Sequence, residues 1–368
     1  MDREENMYRI KGRAAVSNDA GRFERHAREA VDDGWQRDDD LPVLRTQTRI
    51  ETPRSVITYN RSPDLPFDRS INAYRGCEHG CVYCFARPSH AYLGLSPGLD
   101  FETQLIARPD APAVLQRELA AKRYKVAPIA IGTNTDPYQP IEKQHGIMRD
   151  CLKVLSDAAH PVAIVTKGSL IERDIDILAP MAQRGLVRVG ISVTSLDAKL
   201  SRLMEPRAPA PARRLVMIRR LAEAGIPVRI MASPMIPALT DPELEAILAA
   251  GKDAGARTAS WIMLRLPQEV SPLVQEWLAL HYPDRAARIM SRLREMHGGK
   301  EYDATWHRRM RGEGPYADMV AQRFALAIKR LGLKSNAPPM RCDLFRAPVL
   351  PGAQLSLLYR DDEGFLCL

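Results

Sequence analysis

The sequence predicts an α/β protein, a parallel (β/α)6-type partial TIM barrel with an N-terminal arm and a helical C-terminal extension. Three observations carry this expectation. Six short apolar stretches have the composition of strands buried on both faces. Amphipathic helical patterns alternate with them, as a parallel sheet with crossover helices requires. Helix-ending residues fall between the two kinds of segment. The expected divisions are residues 1–68 for the arm, 69–265 for the barrel and 266–368 for the extension.

The arm is polar, carries Asp38, Asp39 and Asp40 in a row and shows little periodicity. Its strand candidate, 55–59, is placed against the main domain. Barrel strands are expected at 70–74, 129–132, 162–166, 187–192, 228–232 and 259–264. Helices are expected at 113–123, 146–158, 173–184, 211–224 and 242–254. Asp241 is read as a capping carboxylate ahead of Pro242, and Gly225 as the residue that ends the preceding helix. Beyond 264 the pattern turns helical, at 271–281, 283–296 and 316–331, before a proline-containing tail at 338–352. No internal repeat or low-complexity tract interrupts it.

With 368 residues, 45% of them hydrophobic, the chain can bury a substantial core. Residues 1–16 lack the apolar stretch of a secretory signal, and no run approaches membrane-spanning length, so no membrane partner is expected. Six cysteines, three within eight residues, suit a metal site in a reducing cytoplasm better than a disulfide framework. The formal charge of +8 favours a polyanionic partner without naming one. Two basic clusters, around Arg202–Arg220 and Lys300–Arg311, read either as solvated helix faces or as a phosphate-binding groove.

The chemistry is concentrated in one segment after the first expected strand, where Cys77, Cys81 and Cys84 form Cys-x3-Cys-x2-Cys. Three thiolates from one loop can hold three irons of a cubane cluster and leave the fourth open, whereas electron-transfer clusters normally take four cysteines. Zinc is the alternative, with His79 or His90 as a fourth ligand, but no second cysteine knuckle follows. Cys151, Cys342 and Cys367 stand alone and read as structural thiols.

The loop, with the aromatic Tyr83 before its third cysteine, resembles the signature of the radical S-adenosylmethionine (SAM) superfamily. That resemblance implies a [4Fe–4S] cluster and S-adenosyl-L-methionine as cofactors. It also implies reductive cleavage to a 5′-deoxyadenosyl radical and an external electron donor of flavodoxin or ferredoxin type. The polar strand ends 132–140, 166–169 and 192–195 would meet the cofactor.

From 70 to 260 the motifs look most like the spore photoproduct lyase branch, loosely described as DNA repair photolyases. By that resemblance Tyr83 and Phe85 flank the adenine and cluster, while Thr135 and Asp136 meet the amino group or ribose. Lys167 meets the carboxylate, and Ser192 the ribose. The branch's hydrogen-donor cysteine is replaced here by Thr133, so repair of the spore photoproduct is not expected. Cys151 is a candidate donor only if it faces the site, and Cys342 has no argument placing it there.

Arg207 and Arg214 could clamp a phosphate or pair with Glu205 or Glu223. Trp306, within a basic run, either anchors a C-terminal helix, the preferred reading, or stacks a base. The substrate is thus read as nucleic acid, with a protein, peptide or small metabolite as the alternative. A non-catalytic iron–sulfur redox protein is the third reading.

Overall fold

Ten strands organise the chain. They are β1 (Gln47–Ile50), β2 (Ile57–Tyr59), β3 (Arg69–Ile71), β4 (Tyr74–Arg75), β5 (Gln104–Ala107), β6 (Ile129–Ile131), β7 (Val162–Thr166), β8 (Val187–Ser192), β9 (Val228–Met235) and β10 (Thr258–Met263). The computed structural model describes residues 10–24 and 44–350, and the backbone of a strand pair formed by Tyr359–Arg360 and Leu366–Cys367.

The main sheet has the order β10-β9-β8-β7-β6-β3-β2. Its six strands from β3 to β10 are parallel. Crossover segments return the chain to the same end each time, so all six carboxyl ends share one mouth. Among the described residues β10 does not pair with β2 or β3, and the barrel is partial, as expected. β2 adds to β3 in antiparallel register, Ile57 opposite Ile71, which places the expected 55–59 strand against the barrel.

A second, three-stranded sheet, β1-β5-β4, lies outside the sequence reading. The expected strand 70–74 therefore splits. Arg69–Ile71 joins the barrel, and Tyr74 pairs with Ala107 in the small sheet. Between them Asn72 turns the chain, its side-chain oxygen accepting from the amides of Asn134 (3.2 Å) and Thr135 (3.4 Å).

The parallel strands are enclosed by helices Ile147–Asp157, Ile175–Gln183, Pro211–Glu223 and Leu244–Asp253. Val162, Ile164, Val187, Val189 and Ile191 are buried, as strands covered on both faces demand. Gly225 ends its helix at φ +77°, the left-handed conformation expected there.

Asp241 departs from expectation. A 3-10 turn, Asp241–Glu243, precedes the helix with Thr240 at its cap position, and the Asp241 carboxylate accepts from the Tyr316 hydroxyl at 2.8 Å. This carboxylate fastens helix Pro315–Leu331 instead of capping helix Leu244–Asp253.

Residues 10–24 pack against 96–103, with Ala14 and Ala15 buried. At the other end of the barrel the tail runs under the strand N-termini, where the amides of Arg341 and Arg346 donate to Gly185 and Ala158. No described helix is long and apolar enough to cross a membrane.

Candidate active site

The cysteine loop leaves β3 and crosses the mouth of the barrel. The Cys77 amide donates to Phe101 O at 2.9 Å. Gln139, in the segment after β6, clasps the loop from both sides, accepting from the Glu78 amide (2.8 Å) and donating to Gly76 O (3.2 Å). Farther along, the Val82 amide donates to Met204 O (3.0 Å) and the Arg207 amide to His79 O (3.4 Å), in the segment after β8.

Arg87 supports this loop from beneath. Wholly enclosed, it donates to Gly80 O (3.2 Å), Cys81 O (2.9 Å), Pro97 O (3.0 Å) and Gly98 O (2.9 Å), and pairs with the equally buried Glu102 at 2.5 Å. Glu102 also accepts from the amides of Ala14 and Ala15. Gly80 lies directly against this carboxylate, at φ +65°, where an added Cβ would come within 2.6 Å of Glu102. A side chain at position 80 would force the loop off its support.

All three thiols of the loop are free, those of Cys77 and Cys81 buried and that of Cys84 half-buried. Burial pushes the Cys81 thiol up to about 12, with Lys167 drawing it down and Glu205 adding to the rise. Burial, and then Asp136, also raise the Cys77 thiol well above its ordinary value. Metal binding displaces such protons. Among the described residues no three His, Cys, Asp or Glu side chains converge as they would round a single ion. His90 is turned to Gln104 O (2.8 Å), and His79 lies 3.3 Å from Asp136. This donor set fits a cubane with one cysteine on each of three irons.

The other expected site residues divide by what they already touch. Lys167, at the end of β7, has no hydrogen-bonding partner for its ammonium among the described residues, and that ammonium lies 5.8 Å from the centre of the Tyr83 ring. Burial works against its charge, but Cys81 and Glu205 raise its pKa overall. Ser192, at the end of β8, has a hydroxyl engaged by no described residue. Ser233, on β9, has a buried hydroxyl with no partner among the described residues. These groups are available to a ligand.

Thr135 and Asp136 are not available in the way expected. The Thr135 hydroxyl donates to Tyr74 O (3.2 Å). Asp136 accepts from the Thr166 hydroxyl (2.6 Å) and from the amides of Lys167 (2.8 Å) and Tyr138 (2.9 Å). Burial opposes its charge, yet His79 and these donors hold it well below the usual carboxylate range. It orders the Lys167 backbone, and its lone pairs are spent on protein.

Tyr83 is buried and donates to Glu205, which also accepts from Thr194 (2.9 Å) and forms a buried pair with Arg214. Although burial disfavours the charge of Glu205, Arg214 and Lys167 lower its pKa to about 2. Arg214 donates besides to Pro209 O and Ser192 O, so of its two expected readings the pairing with Glu205, a buried one, is observed. It is a 1%-exposed support for Tyr83 and the end of β8. Arg207 pairs with Glu78 at 3.0 Å.

Phe85, next to Cys84, is 44% exposed at the mouth. Cys151 is fully buried in the core between helix and sheet, where burial and then Glu142 raise its pKa. That enclosure corrects its candidacy as hydrogen donor. Cys342 belongs to the tail at the opposite end of the barrel, and the side chain of Cys367 lies outside the described residues.

Much of the basic surface is paired, Arg213 and Arg220 with Glu172, Arg308 with Glu313, and Arg309 with Asp64. Trp306 is 52% exposed, against the expectation that it anchors a helix.

Residues 71–250 match the family model of the radical SAM superfamily. The chain belongs to the radical SAM superfamily. As a radical SAM enzyme it uses a [4Fe–4S] cluster and S-adenosyl-L-methionine, and needs an electron donor.

It is 37% identical to an uncharacterized protein of Mycobacterium tuberculosis over 280 residues, covering 75% of this chain and 78% of the relative. To an uncharacterized protein of Methanocaldococcus jannaschii it is 28% identical over 173 residues, covering 47% and 62% respectively. In fold it resembles spore photoproduct lyase complexed with dinucleoside spore photoproduct, with a TM-score of 0.56 at 15% identity, covering 78% of this chain and 81% of the other.

Sequence reasoning missed Arg87, Glu102, Gln139 and the role of Glu205. Arg87 stands three residues after Cys84, and Gln139 within the polar stretch already singled out. That adjacency was the available signal.

Proposed function

We propose that this radical SAM enzyme acts on a nucleic-acid strand, in the cytoplasm, with electrons from a flavodoxin- or ferredoxin-type donor. The observation that carries this reading is Phe85, an aromatic face half-open to the mouth directly after the third cysteine. A base can stack on such a face whatever its sequence. Similarity of fold to a lyase complexed with a dinucleoside supports the same reading.

Cys77, Cys81 and Cys84 would hold the cluster, Lys167 the cofactor's carboxylate and Ser192 its ribose. Once bound, cluster and cofactor supply hydrogen-atom abstraction by a carbon radical. The chain's own residues fix the loop through Arg87 and Gln139, and place the Lys167 charge through Asp136. Thr133 offers no thiol to return hydrogen, so the outcome differs from the repair reaction of the lyase.

The reading is tested by adding DNA and RNA oligonucleotides to reduced, reconstituted enzyme. Binding that weakens steeply with salt, together with faster 5′-deoxyadenosine release, is expected for one of them. Salt-insensitive or absent binding to both would move the search to peptides and metabolites. For the cofactor contact, Lys167→Met is expected to raise the Kd for S-adenosylmethionine about 10-fold or more, since a charge-assisted hydrogen bond contributes about 1.5–3 kcal/mol. Equilibrium dialysis on iron-replete protein measures this, and an unchanged Kd would remove Lys167 from the site.

A further inference from the structure

The arginines that hold the cysteine loop and its neighbours, Arg87, Arg207 and Arg214, end on carboxylates, and Arg265 does not. It follows β10 at the carboxyl end of the strand, in the same mouth as the cysteine loop. Its guanidinium lies 4.5 Å over the Phe85 ring and 5.9 Å from the centre of Tyr302. One terminal nitrogen donates to the Tyr302 hydroxyl at 3.2 Å, a neutral partner. The Nε is enclosed and has no acceptor among the described residues.

The neighbouring acids are turned elsewhere, Glu269 toward Arg22 (3.5 Å) and Glu301 to Ser271 and Arg294. Arg265 makes no ion pair among the described residues. A buried donor left without an acceptor is costly, and an oxygen from a ligand or from water would satisfy it.

We propose that Arg265 holds a phosphodiester group of the bound nucleic-acid strand beside the base that stacks at Phe85. This rests on the nucleic-acid reading above. The guanidinium fork matches two phosphate oxygens, and stacking on Phe85 sets the plane of that fork in advance. Strand order separates this contact from the expected carboxylate contact at Lys167. Lys167 ends β7, and both β8 and β9 lie between it and β10. The pairing of a flat aromatic surface with a forked cation a few ångströms away is the chemistry of a nucleotide, one element for the base and one for its phosphate.

The test is fluorescence anisotropy of a labelled single-stranded oligonucleotide with reconstituted protein, between about 50 and about 200 mM salt. Arg265→Gln removes one phosphate contact. Its plot of log affinity against log salt is expected to flatten by about 0.7, with affinity falling about 10-fold at the low-salt end. Arg265→Lys keeps the charge and loses the fork, so its slope should stay while affinity falls several-fold.

Wild-type slope and affinity in both variants would overturn the proposal while leaving the nucleic-acid reading intact. A wild-type protein with no salt-dependent binding would overturn that reading and this contact together. Loss of the spectral response to S-adenosylmethionine in Arg265→Lys, with cluster content retained, would assign the residue to the cofactor and also overturn the proposal.

Discussion

Anaerobically reconstituted protein, reduced with dithionite and given S-adenosylmethionine, is expected to release 5′-deoxyadenosine, and the Cys81→Ala variant to release none. The loop offers three cysteines and no spare, because His90 is committed to Gln104 O and His79 faces Asp136. Removing one thiol leaves too few ligands for a cubane with a single open iron. Iron and sulfide content should fall with activity. Cys151→Ala is the matched control, since its thiol lies in the core beside helix and sheet. It should keep both iron and product, with a small loss of stability. Full iron content and unchanged product in Cys81→Ala would remove Cys81 from the ligand set. A cluster-loaded wild type that neither forms product nor changes its spectrum with S-adenosylmethionine would return the electron-transfer reading to first place.

Arg87→Met is expected to be the most damaging substitution away from the cysteines. The change strips the partner from the buried Glu102 carboxylate, and breaking one side of such a pair costs about 3–5 kcal/mol. It also leaves the carbonyls of Gly80, Cys81, Pro97 and Gly98 without their donor, each bond contributing about 1 kcal/mol. Losses on this scale approach the whole stability of many domains. The denaturation midpoint should fall sharply and iron retention with it. Arg87→Met combined with Glu102→Gln should be less harmful than the sum of the two, because the second change removes the stranded charge. A single variant within about 1 kcal/mol of wild type, a loss no larger than one ordinary hydrogen bond, and retaining iron would mean that the pair does not support the loop.

The parallel strands from β6 to β10 were legible because each is a largely apolar run beside helical patterns long enough to show their period, whereas β3, Arg69-Ser70-Ile71, is mostly polar. β1 and β5 were not legible. They are four residues long, and β1 exists because Gln47–Ile50 finds Gln104–Ala107, a pairing that no local pattern announces. The three cysteines and Lys167 stand out in the sequence as site candidates by residue type and by their place in the chain.

The buried ion pairs escaped for a common reason. Arginine and glutamate are read as surface residues by default, and only the fold reveals that Arg87 meets Glu102 or that the expected pair of Arg214 with Glu205 is buried. Asp136 was found by position, but the protein donors that reach its oxygens were not, because they depend on strand register.

The supports of the cysteine loop come from distant parts of the sequence. Glu102 reaches back 87 and 88 residues to Ala15 and Ala14, Gln139 reaches 61 residues to Glu78, and Glu205 reaches 122 to Tyr83. Contacts so far apart form only after the intervening chain has been brought to order, and loop-closure entropy delays them. The segment that carries the thiols therefore reaches its final shape among the last events of folding. A chain that ends before residue 205 lacks the carboxylate that Tyr83 donates to, so that hold on the cysteine loop waits for the segment after β8.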